Sequence, residues 1–332
     1  MDDRRAGQPP QIPAVEPTHP QDIDVTPFKS RIPLSRGAPE RALNRVDRYN
    51  RRAEVTKYEK LTGTGTVRVS FRVVDEQPFN FKPGQFVGIQ AKVPGFGLRK
   101  TPYCICSSPG RDRTFCLLIR LVPEGPLSYY LGSLRAGDVI KFRGPTGRSM
   151  VPKEDDTELV MLATGVGIGP FLSLAEHLLP QGFDRPMRLF WGLRLVEDIC
   201  LLDELDSLAA RYPNFSYVVT LSQPPAGWDG WRGRLTVTVP PTLETLGGKH
   251  FYLVGNGAMI EEMSSVLSDL GVTKQLIYQE AYFNVRFKPD LAELDAIRAR
   301  FVASDLFSPY AHREAGLYAP GAGRAEARPP AG

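Results

Sequence analysis

The chain has 332 residues, about the length of two ordinary domains of ~150 residues each. Its residues are 42% hydrophobic, 10% aromatic and 23% charged, and its net charge is +4. This composition is typical of a folded globular protein and excludes a chain that is disordered throughout, a collagen and a disulfide-rich scaffold. The mild charge does not indicate a nucleic-acid-binding protein.

Sequence patterns also argue against a membrane span, an export signal and a metal centre. The longest uncharged apolar stretch, residues 159–175, contains three glycines and a proline, so a transmembrane helix is not expected. The first residues lack the apolar segment of a secretory signal, and we therefore expect a cytoplasmic location. The four cysteines form no Cys-x-x-Cys pair and the four histidines are scattered, which predicts no zinc or iron-sulfur site.

The chain begins with a segment, residues 1–52, that has no apolar periodicity. Its first half, to about residue 27, is rich in proline and polar residues and is predicted to form a disordered arm. Residues 28–52 contain eight Lys or Arg and two acidic residues, so the local charge is 8 − 2 = +6. We expect a solvated basic arm, with a docking surface for an acidic partner as the alternative.

Residues 53–153 have the pattern of a β-rich domain. Six short runs rich in β-branched and aromatic residues cover residues 54–62, 67–74, 86–93, 102–108, 114–122 and 139–145. Strands at this regular spacing, with turns between them, predict a small antiparallel barrel.

From residue 154 to residue 285, strands alternate with helices. Apolar strand-like runs lie at residues 158–164, 187–193, 215–222 and 250–256, and helical patterns at 171–179, 198–212 and 258–270. This order predicts a doubly wound α/β domain with a parallel sheet. The tail, residues 286–332, is expected to contain one amphipathic helix that starts near Asp290, followed by a flexible end.

Two glycine-rich turns follow predicted parallel strands. Residues 163–170, Ala-Thr-Gly-Val-Gly-Ile-Gly-Pro, join a strand to a helix, and residues 254–257, Val-Gly-Asn-Gly, end another strand. Glycines at such places let the backbone approach a pyrophosphate, and the helix start offers unpaired N–H groups. We expect the two turns to line one nucleotide-binding crevice. The alternative is that the glycines serve only to make tight turns.

Three features of the β-rich domain fit a flavin site. They are the turn at residues 81–86, the strand at residues 101–108 with its tyrosine and hydroxyls, and residues 125–128, which open a helix. An aromatic ring, hydroxyls and a helix N-terminus together suit a flavin and its pyrophosphate. Taken singly, each has a structural alternative: Tyr103 as a core aromatic, Ser128 as a helix N-cap, and Cys104 and Cys106 as small strand residues.

Taken in order, these motifs resemble the ferredoxin-NADP reductase family, and most of all its bacterial ferredoxin/flavodoxin-NADP reductases. The motifs are PGQF, PYCICSSP, GPLS, RGPTG, ATGVGIGP, WGLR with EDICLLDEL, YLVGNGAMI and EAYF. The resemblance extends over about residues 53–284. It implies a small antiparallel FAD-binding β-barrel followed by a doubly wound, parallel-sheet NAD(P)-binding domain, in agreement with the predicted elements.

The resemblance also implies roles for individual residues. The family's Arg-x-Tyr-Ser element falls on residues 101–104, where Thr101 and Pro102 take the first two places. Tyr103 is expected to stack on the flavin and Cys104 to lie beside its reactive nitrogen. With Glu280, these two are the expected catalytic residues, and all five are expected to contact the cofactor. Further cofactor-binding residues implied by the resemblance are Ser107, Ile119, Gly125, Leu127, Ser128, Thr164, Gly165, Gly167, Gly255, Asn256, Tyr282 and Phe283.

Two of these positions depart from the family pattern. Thr101 stands where the family has an arginine that pairs with the flavin pyrophosphate, with Arg99 and Lys100 just upstream as substitutes. Cys104 stands where the family has a serine. Since a thiol donates only a weak hydrogen bond, we expect a slower enzyme rather than an inactive one.

The adenosine end of the nucleotide is expected to bind Arg194, Ser222 and Arg234. The two arginines match residues that bind the 2′-phosphate in bacterial members, because a guanidinium fork suits a phosphate. Gln223 stands where an arginine is usual, and the segment LSQPPAGW also resembles NADH-using reductases that serve oxygenases. We expect NADPH as the donor, with NADH as the alternative.

The resemblance implies an enzyme that transfers hydride between NAD(P)H and FAD and exchanges single electrons with a separate ferredoxin or flavodoxin. One alternative is an NADH-dependent reductase component of an oxygenase or P450 system. Another, of a different class, is a catalytically weak flavin- or nucleotide-binding regulatory subunit. Nucleic-acid binding through the basic arm is not expected, because its aromatic residues are limited to Phe28 and Tyr49.

Overall fold

The computed structural model describes residues 48–93, 95–110, 112–122, 125–152 and 157–283. The N-terminal arm up to residue 47 and the predicted helix near Asp290 lie outside the described residues. The described part contains two six-stranded sheets that follow each other along the chain. None of the helices in these ranges is both long and apolar enough to cross a membrane.

The first sheet is antiparallel and curls into a barrel. Its strands are β1 (Arg51–Lys60), β2 (Thr66–Val73), β3 (Phe86–Val93), β4 (Gly97–Cys104), β5 (Thr114–Arg120) and β6 (Val139–Thr146). They are hydrogen-bonded in the order β4-β3-β6-β1-β2-β5, and a bridge between Ile105 and Leu117 links the two ends of this order. Helix α1 (Pro126–Ser133) connects β5 to β6 and packs on β3 and β4. The predicted antiparallel barrel is confirmed.

Alternation along the strands builds the barrel core. In β2, Val67, Val69, Phe71 and Val73 are at most 3% exposed. Successive side chains of a strand point to opposite faces, so every second residue of β2 reaches the core. The rings of Phe71 and Phe115 stack there, with 5.1 Å between their centroids.

Arg51 is a structural residue of the barrel and not part of the solvated arm in which the sequence pattern placed it. It opens β1, its side chain is 7% exposed, and it pairs with Asp75 at 3.0 Å. It also donates hydrogen bonds to three backbone carbonyl groups, those of Gln77 and Pro78 in a neighbouring loop and that of Gly144 in β6. A buried charge is stable only when it is paired and hydrogen-bonded, and Arg51 meets both conditions.

The second sheet is parallel and has helices on both faces. Its strands are β7 (Glu158–Thr164), β8 (Met187–Leu193), β9 (Phe215–Leu221), β10 (Trp231–Arg232), β11 (Lys249–Asn256) and β12 (Ile277–Phe283). The helices are α2 (Gly169–Leu178), α3 (Leu202–Arg211), α4 (Leu235–Thr238) and α5 (Gly257–Asp269). Helices α2 and α3 pack on one face of the sheet, and α4 and α5 on the other. The doubly wound α/β fold is therefore confirmed.

The order of the parallel strands reverses between β7 and β11. The sheet has the order β10-β9-β8-β7-β11-β12, so the chain runs from β7 outward to β10 and then returns to the other side of β7. Doubly wound sheets bind ligands at the carboxyl ends of the strands at this reversal. Both glycine turns of the sequence lie there.

Several details of the α/β domain differ from the prediction. The helix predicted over residues 198–212 begins only at Leu202, because a 3₁₀ turn spans Val196–Asp198 and Leu201 has a left-handed φ of 62°. Strands β10 and β12 and helix α4 have no counterpart among the predicted elements. With two and four residues, β10 and α4 are too short to show a periodicity.

Candidate functional site

The two glycine turns lie side by side at the ends of β7 and β11. The amide of Asn256 donates a hydrogen bond to Oγ1 of Thr164, at 2.8 Å, and this bond ties the turns together. Gly165 has a φ of +55° and Gly255 a φ of +131°, and glycine adopts both without steric cost. The two turns therefore form one continuous edge of the sheet.

Close backbone contact explains two of the glycines. A Cβ at Gly167 would lie 2.4 Å from the carbonyl oxygen of Val254, and one at Gly255 would lie 2.2 Å from Oγ1 of Thr164. A Cβ at Gly165 would meet nothing within 4 Å, and this residue is exposed. Tight turn packing thus accounts for Gly167 and Gly255, whereas Gly165 faces open space.

Trp191 holds the first glycine turn, and the sequence analysis missed it. This residue lies near the end of β8 and is 1% exposed. Its indole N–H donates a hydrogen bond to the carbonyl oxygen of Gly165, at 2.8 Å. The available signal was a tryptophan at the carboxyl end of the strand beside the glycine loop. The bond fixes the direction in which the loop backbone points.

A cavity of about 450 Å³ lies between the glycine turns and the barrel. Its lining includes Thr164, Gly165, Gly255 and Asn256 from the turns, Thr66, Leu118 and Arg120 from the barrel, and Tyr282 from β12. Cavities of this size hold small molecules and cofactors. The structure therefore brings the predicted nucleotide-binding turns to a cavity that the barrel completes.

The three residues expected at the adenosine end line the same cavity. These are Arg194, Ser222 and Arg234, and all three are exposed. Nε of Arg194 donates a hydrogen bond to Oε1 of Gln223, at 3.2 Å. Within the described ranges, neither arginine forms an ion pair with a carboxylate. Two unpaired guanidinium groups suit a phosphate group.

Among the described residues, two ion pairs join the barrel to the α/β domain, and one of them, between Arg120 and Asp198, lines the cavity. Nη1 of Arg120 lies 3.0 Å from Oδ1 of Asp198, which also accepts a hydrogen bond from Thr64 at 2.7 Å. Arg68 pairs with Glu204 at 2.9 Å. These contacts join residues far apart in sequence, and no sequence pattern indicated them. Because the side chains are partly exposed, each pair contributes about 1 kcal/mol or less.

Cys104 and Glu280, two of the expected catalytic residues, are in direct contact. The Cys104 thiol donates a hydrogen bond to Oε1 of Glu280, at 2.7 Å, and the Tyr278 hydroxyl donates one to Oε2, at 2.9 Å. Tyr282 lies beside Cys104. Burial, and then the Glu280 carboxylate, raises the pKa of the Cys104 thiol well above its usual value. The thiol therefore keeps its proton and acts as a donor.

Tyr103 is half-buried against the barrel core. Burial raises the pKa of its hydroxyl. The position matches the core-aromatic interpretation of Tyr103 as well as the flavin-stacking one, because the ring contacts the core only in part. On the opposite face of the strand, neighbouring Cys104 is turned toward Glu280.

The turn before α1 differs in detail from the sequence analysis. Gly125, not Ser128, is the N-cap, and no side chain caps the helix. Oγ of Ser128 donates to the carbonyl oxygen of Gly125, at 2.7 Å, and accepts from the amide of Val122, at 3.1 Å. The N-cap alternative for Ser128 is therefore wrong. Its hydroxyl instead stabilises the turn before the helix through hydrogen bonds with the backbone of Val122 and Gly125.

Several expected cofactor-binding side chains are engaged within the protein. Ile119 and Leu127 are 1% and 2% exposed and belong to the barrel core, which leaves only their backbone atoms for a ligand. Oγ of Ser107 accepts a hydrogen bond from the amide of Cys116, at 3.0 Å. The carbonyl oxygen of Ser107 accepts one from Ser173 of α2, at 2.6 Å. Ser107 thus ties the barrel to the helix that follows the glycine loop.

Strand β4 separates the two cations that were expected to substitute for the family's arginine. Arg99, Thr101 and Tyr103 alternate along the strand and share one face. Lys100 lies on the other face, with its Nζ 4.9 Å from the ring centroid of Tyr49. Only Arg99 of the two cations therefore shares a face with Thr101. Pro102, the next residue of β4, is exposed. Phe283 is the last residue of β12.

Two domain families match the chain. Residues 53–150 match the oxidoreductase FAD-binding domain, and residues 161–265 match the oxidoreductase NAD-binding domain. Ferredoxin–NADP reductase B of Sorangium cellulosum is 30% identical over 221 residues, which cover 64% of this chain and 90% of that protein. The chain belongs to the ferredoxin-NADP reductase family. It therefore has an FAD-binding barrel followed by an NAD(P)-binding domain, as the resemblance implied.

Other similar proteins differ in length and in the system they serve. The toluate 1,2-dioxygenase electron transfer component of Pseudomonas putida is 31% identical over 218 residues, or 65% of this chain. The match covers only 63% of that relative's length. The crystal structure of a cytochrome P450 reductase from Amycolatopsis has a TM-score of 0.63 at 24% identity, over 70% of this chain and 69% of its own. This likeness supports the fold.

Proposed function

We propose that the protein is an FAD-dependent reductase that takes electron pairs from NADPH and passes single electrons to ferredoxin or flavodoxin. The cavity between the glycine turns and the barrel carries this proposal. Tyr282 lines the cavity and lies beside Cys104, which contacts Glu280. A nucleotide in the cavity would thus be next to the residues expected to line the flavin.

The barrel offers suitable groups for FAD even though Thr101 brings no charge. No side chain caps the first turn of α1, but Pro126 has no N–H, and the amide of Ser128 already donates to the carbonyl oxygen of Gly125 at 2.8 Å. A pyrophosphate contact at this turn therefore falls to the amide of Leu127. Arg99 lies two residues before Thr101 on the same strand face, which is about 6.6 Å along the strand. A long arginine side chain spans that distance. We therefore assign the pyrophosphate contact of the missing arginine to Arg99.

The chain's own residues position the reacting groups and exclude water. FAD, when bound, supplies the redox chemistry that links two-electron to one-electron transfer. Tyr103 offers an aromatic face at the edge of the barrel core. The Cys104 thiol keeps its proton and donates it in a hydrogen bond to the Glu280 carboxylate. Tyr282 lines the cavity and excludes water from the contact between Cys104 and Glu280.

NADPH is the proposed donor because two guanidinium groups line the cavity. Arg194 and Arg234 have no carboxylate partner in the described part of the chain, and Gln223 orients Arg194 through a hydrogen bond. NADH is the second candidate. It is favoured by the neutral side chain of Gln223, at a position where bacterial members of the family have an arginine.

The proposed electron acceptor is a separate protein. In the ranges that the structure describes, no group of three or more His, Cys, Asp or Glu side chains is placed to hold a metal. The names of two relatives, a ferredoxin–NADP reductase and a dioxygenase electron transfer component, support ferredoxin as the acceptor and an oxygenase system as the second candidate. A regulatory subunit of low activity is the alternative class. A cytoplasmic location remains a prediction from the sequence alone.

The activity is tested by adding ferredoxin, and separately flavodoxin, to the purified protein with NADPH under anaerobic conditions. We expect reduction of at least one acceptor, followed by its visible absorbance, and a rate that falls as salt is raised because docking between charged surfaces is screened. A protein that binds FAD but reduces neither acceptor would contradict the proposal and favour the regulatory subunit.

A further inference from the structure

Glu280 is held by hydrogen bonds to both of its carboxylate oxygens. Cys104, the last residue of β4, donates to Oε1 at 2.7 Å, and Tyr278, two residues before Glu280 on β12, donates to Oε2 at 2.9 Å. A carboxylate with a donor on each oxygen cannot rotate without losing one of the bonds. The two side chains together therefore determine where the carboxylate points.

The two donors differ in strength. A thiol is a weak hydrogen-bond donor. A phenol O–H that donates to a carboxylate makes a charge-assisted bond, about twice as strong as a bond between neutral groups. Because Cys104 stands where the family has a serine, the orientation of Glu280 depends more on Tyr278 than it would beside a hydroxyl.

Tyr278 is itself held in place. Its partner across the strand pair is Tyr252 of β11, and the two ring centroids are 5.7 Å apart. Tyr278, Glu280 and Tyr282 alternate along β12 and share one face. Burial and the Glu280 carboxylate raise the pKa of Tyr278, while the positive charge of Arg148 acts in the opposite direction and lowers it. The net pKa lies above its usual value, so the hydroxyl keeps the proton that it donates.

We propose that Tyr278 is a positioning residue, which fixes the Glu280 carboxylate so that its other oxygen, Oε1, accepts a hydrogen bond from the Cys104 thiol. The thiol hydrogen then points at Glu280, and the sulfur keeps a constant place at the end of β4. The effect of this arrangement on electron transfer rests on the proposed function. The hydrogen bonds from Cys104 and Tyr278 to Glu280 are independent of that function.

The direct test measures how fast iodoacetamide alkylates Cys104 in the purified protein, by mass spectrometry of its peptide. A fixed carboxylate beside the thiol disfavours the reactive thiolate and slows alkylation. Tyr278→Phe keeps the ring and removes the hydroxyl, so we expect Cys104 to react roughly 3- to 10-fold faster, the equivalent of a shift of half a pKa unit to one unit.

Tyr252→Phe is the matched control, since it removes a hydroxyl from the other ring of the same pair. Tyr252 is 5% exposed and does not contact Glu280 in the described hydrogen bonds. We expect this variant to react at the wild-type rate. Equal rates in the wild type and Tyr278→Phe, or an equal increase in both variants, would overturn the proposal.

Reduction of bound flavin by NADPH gives a second, independent measurement. We expect Tyr278→Phe to lower kcat about fivefold, the worth of one hydrogen bond, with KM unchanged. A double variant with Glu280→Gln should be no slower than Glu280→Gln alone, because both changes act through one carboxylate. Effects that multiply would overturn the proposal. A wild-type flavin that NADPH does not reduce would refute the proposed function, and the alkylation rates would still decide the role of Tyr278.

Discussion

Two sides of the site are specified by different features of the chain. At the glycine turns the backbone decides: Gly167 and Gly255 lie so close to their neighbours that a Cβ has no room. Where β4 of the barrel meets β12, the side chains decide, through the hydrogen bond between Cys104 and Glu280. The family pattern is kept on the first side and altered on the second, at Thr101 and Cys104. A glycine in close contact with neighbouring backbone cannot be replaced by a residue with a Cβ. A side-chain hydrogen-bond donor, in contrast, can be replaced by another donor, and we expect the rate of flavin reduction to change.

Gly167→Ala should have the largest effect, because it tests the close approach of the two glycine turns. The added Cβ would lie 2.4 Å from the carbonyl oxygen of Val254, so the two turns must move apart. We expect the free energy of unfolding to fall by about 2 kcal/mol, a typical cost of overpacking, and NADPH binding to be lost. Denaturant unfolding and a nucleotide titration measure the two effects.

Gly247→Ala is the control for this change. A Cβ at Gly247 would meet nothing within 4 Å, and its backbone is not left-handed. Stability and nucleotide affinity should remain as in the wild type. If both alanine variants bound NADPH equally well, the close approach of the turns would have no part in binding.

Gln223→Arg tests the side-chain part of the nucleotide site. A third guanidinium near Arg194 and Arg234 should raise the ratio of NADPH to NADH rates about tenfold, which corresponds to ~1.4 kcal/mol of added phosphate binding. Gln275→Arg adds the same charge at an exposed position that does not line the cavity. An unchanged ratio in Gln223→Arg would place the 2′-phosphate elsewhere.

Cys104→Ser restores the family's residue at the end of β4. A hydroxyl donates a stronger hydrogen bond than a thiol, so we expect flavin reduction by NADPH to become about fivefold faster. Stopped-flow absorbance under anaerobic conditions measures the rate. Cys116→Ser makes the same exchange at a half-buried strand position and should leave the rate unchanged. A slower Cys104→Ser protein would mean that the thiol is suited to the reaction here.

Trp191→Phe should have the smallest effect. It removes the hydrogen bond to the carbonyl oxygen of Gly165 but keeps an aromatic ring in the core. We expect KM for NADPH to rise about threefold at constant kcat, which corresponds to ~0.65 kcal/mol, near the lower end of what one neutral hydrogen bond contributes. Trp231→Phe, whose ring packs on Phe190, is the control. A fall in kcat instead of a rise in KM would show that Trp191 acts beyond nucleotide binding.

Local patterns in the sequence predict most of the fold and part of the site. Alternation is a property of neighbouring residues, so five of the six barrel strands can be located without tertiary information, and glycine turns at strand ends are equally local. Strand β4 spans Gly97–Cys104 instead of the predicted residues 102–108, because its first four residues are all exposed and show no alternation. The bond between Arg120 and Asp198 joins residues 78 positions apart and leaves no local signal. Tyr278 shares a strand face with Glu280, which spacing predicts, but its bond to Oε2 depends on side-chain rotamers that only the packed structure determines.

The most direct test of the proposed activity is the visible spectrum of the purified protein under anaerobic conditions, before and after addition of NADPH and, separately, of NADH. We expect a yellow protein whose flavin absorbance is bleached by both nucleotides, and faster by NADPH. Bleaching that is faster with NADH would overturn the assignment of Arg194 and Arg234 to a 2′-phosphate. A colourless protein, or bound flavin that neither nucleotide reduces, would contradict the reductase itself.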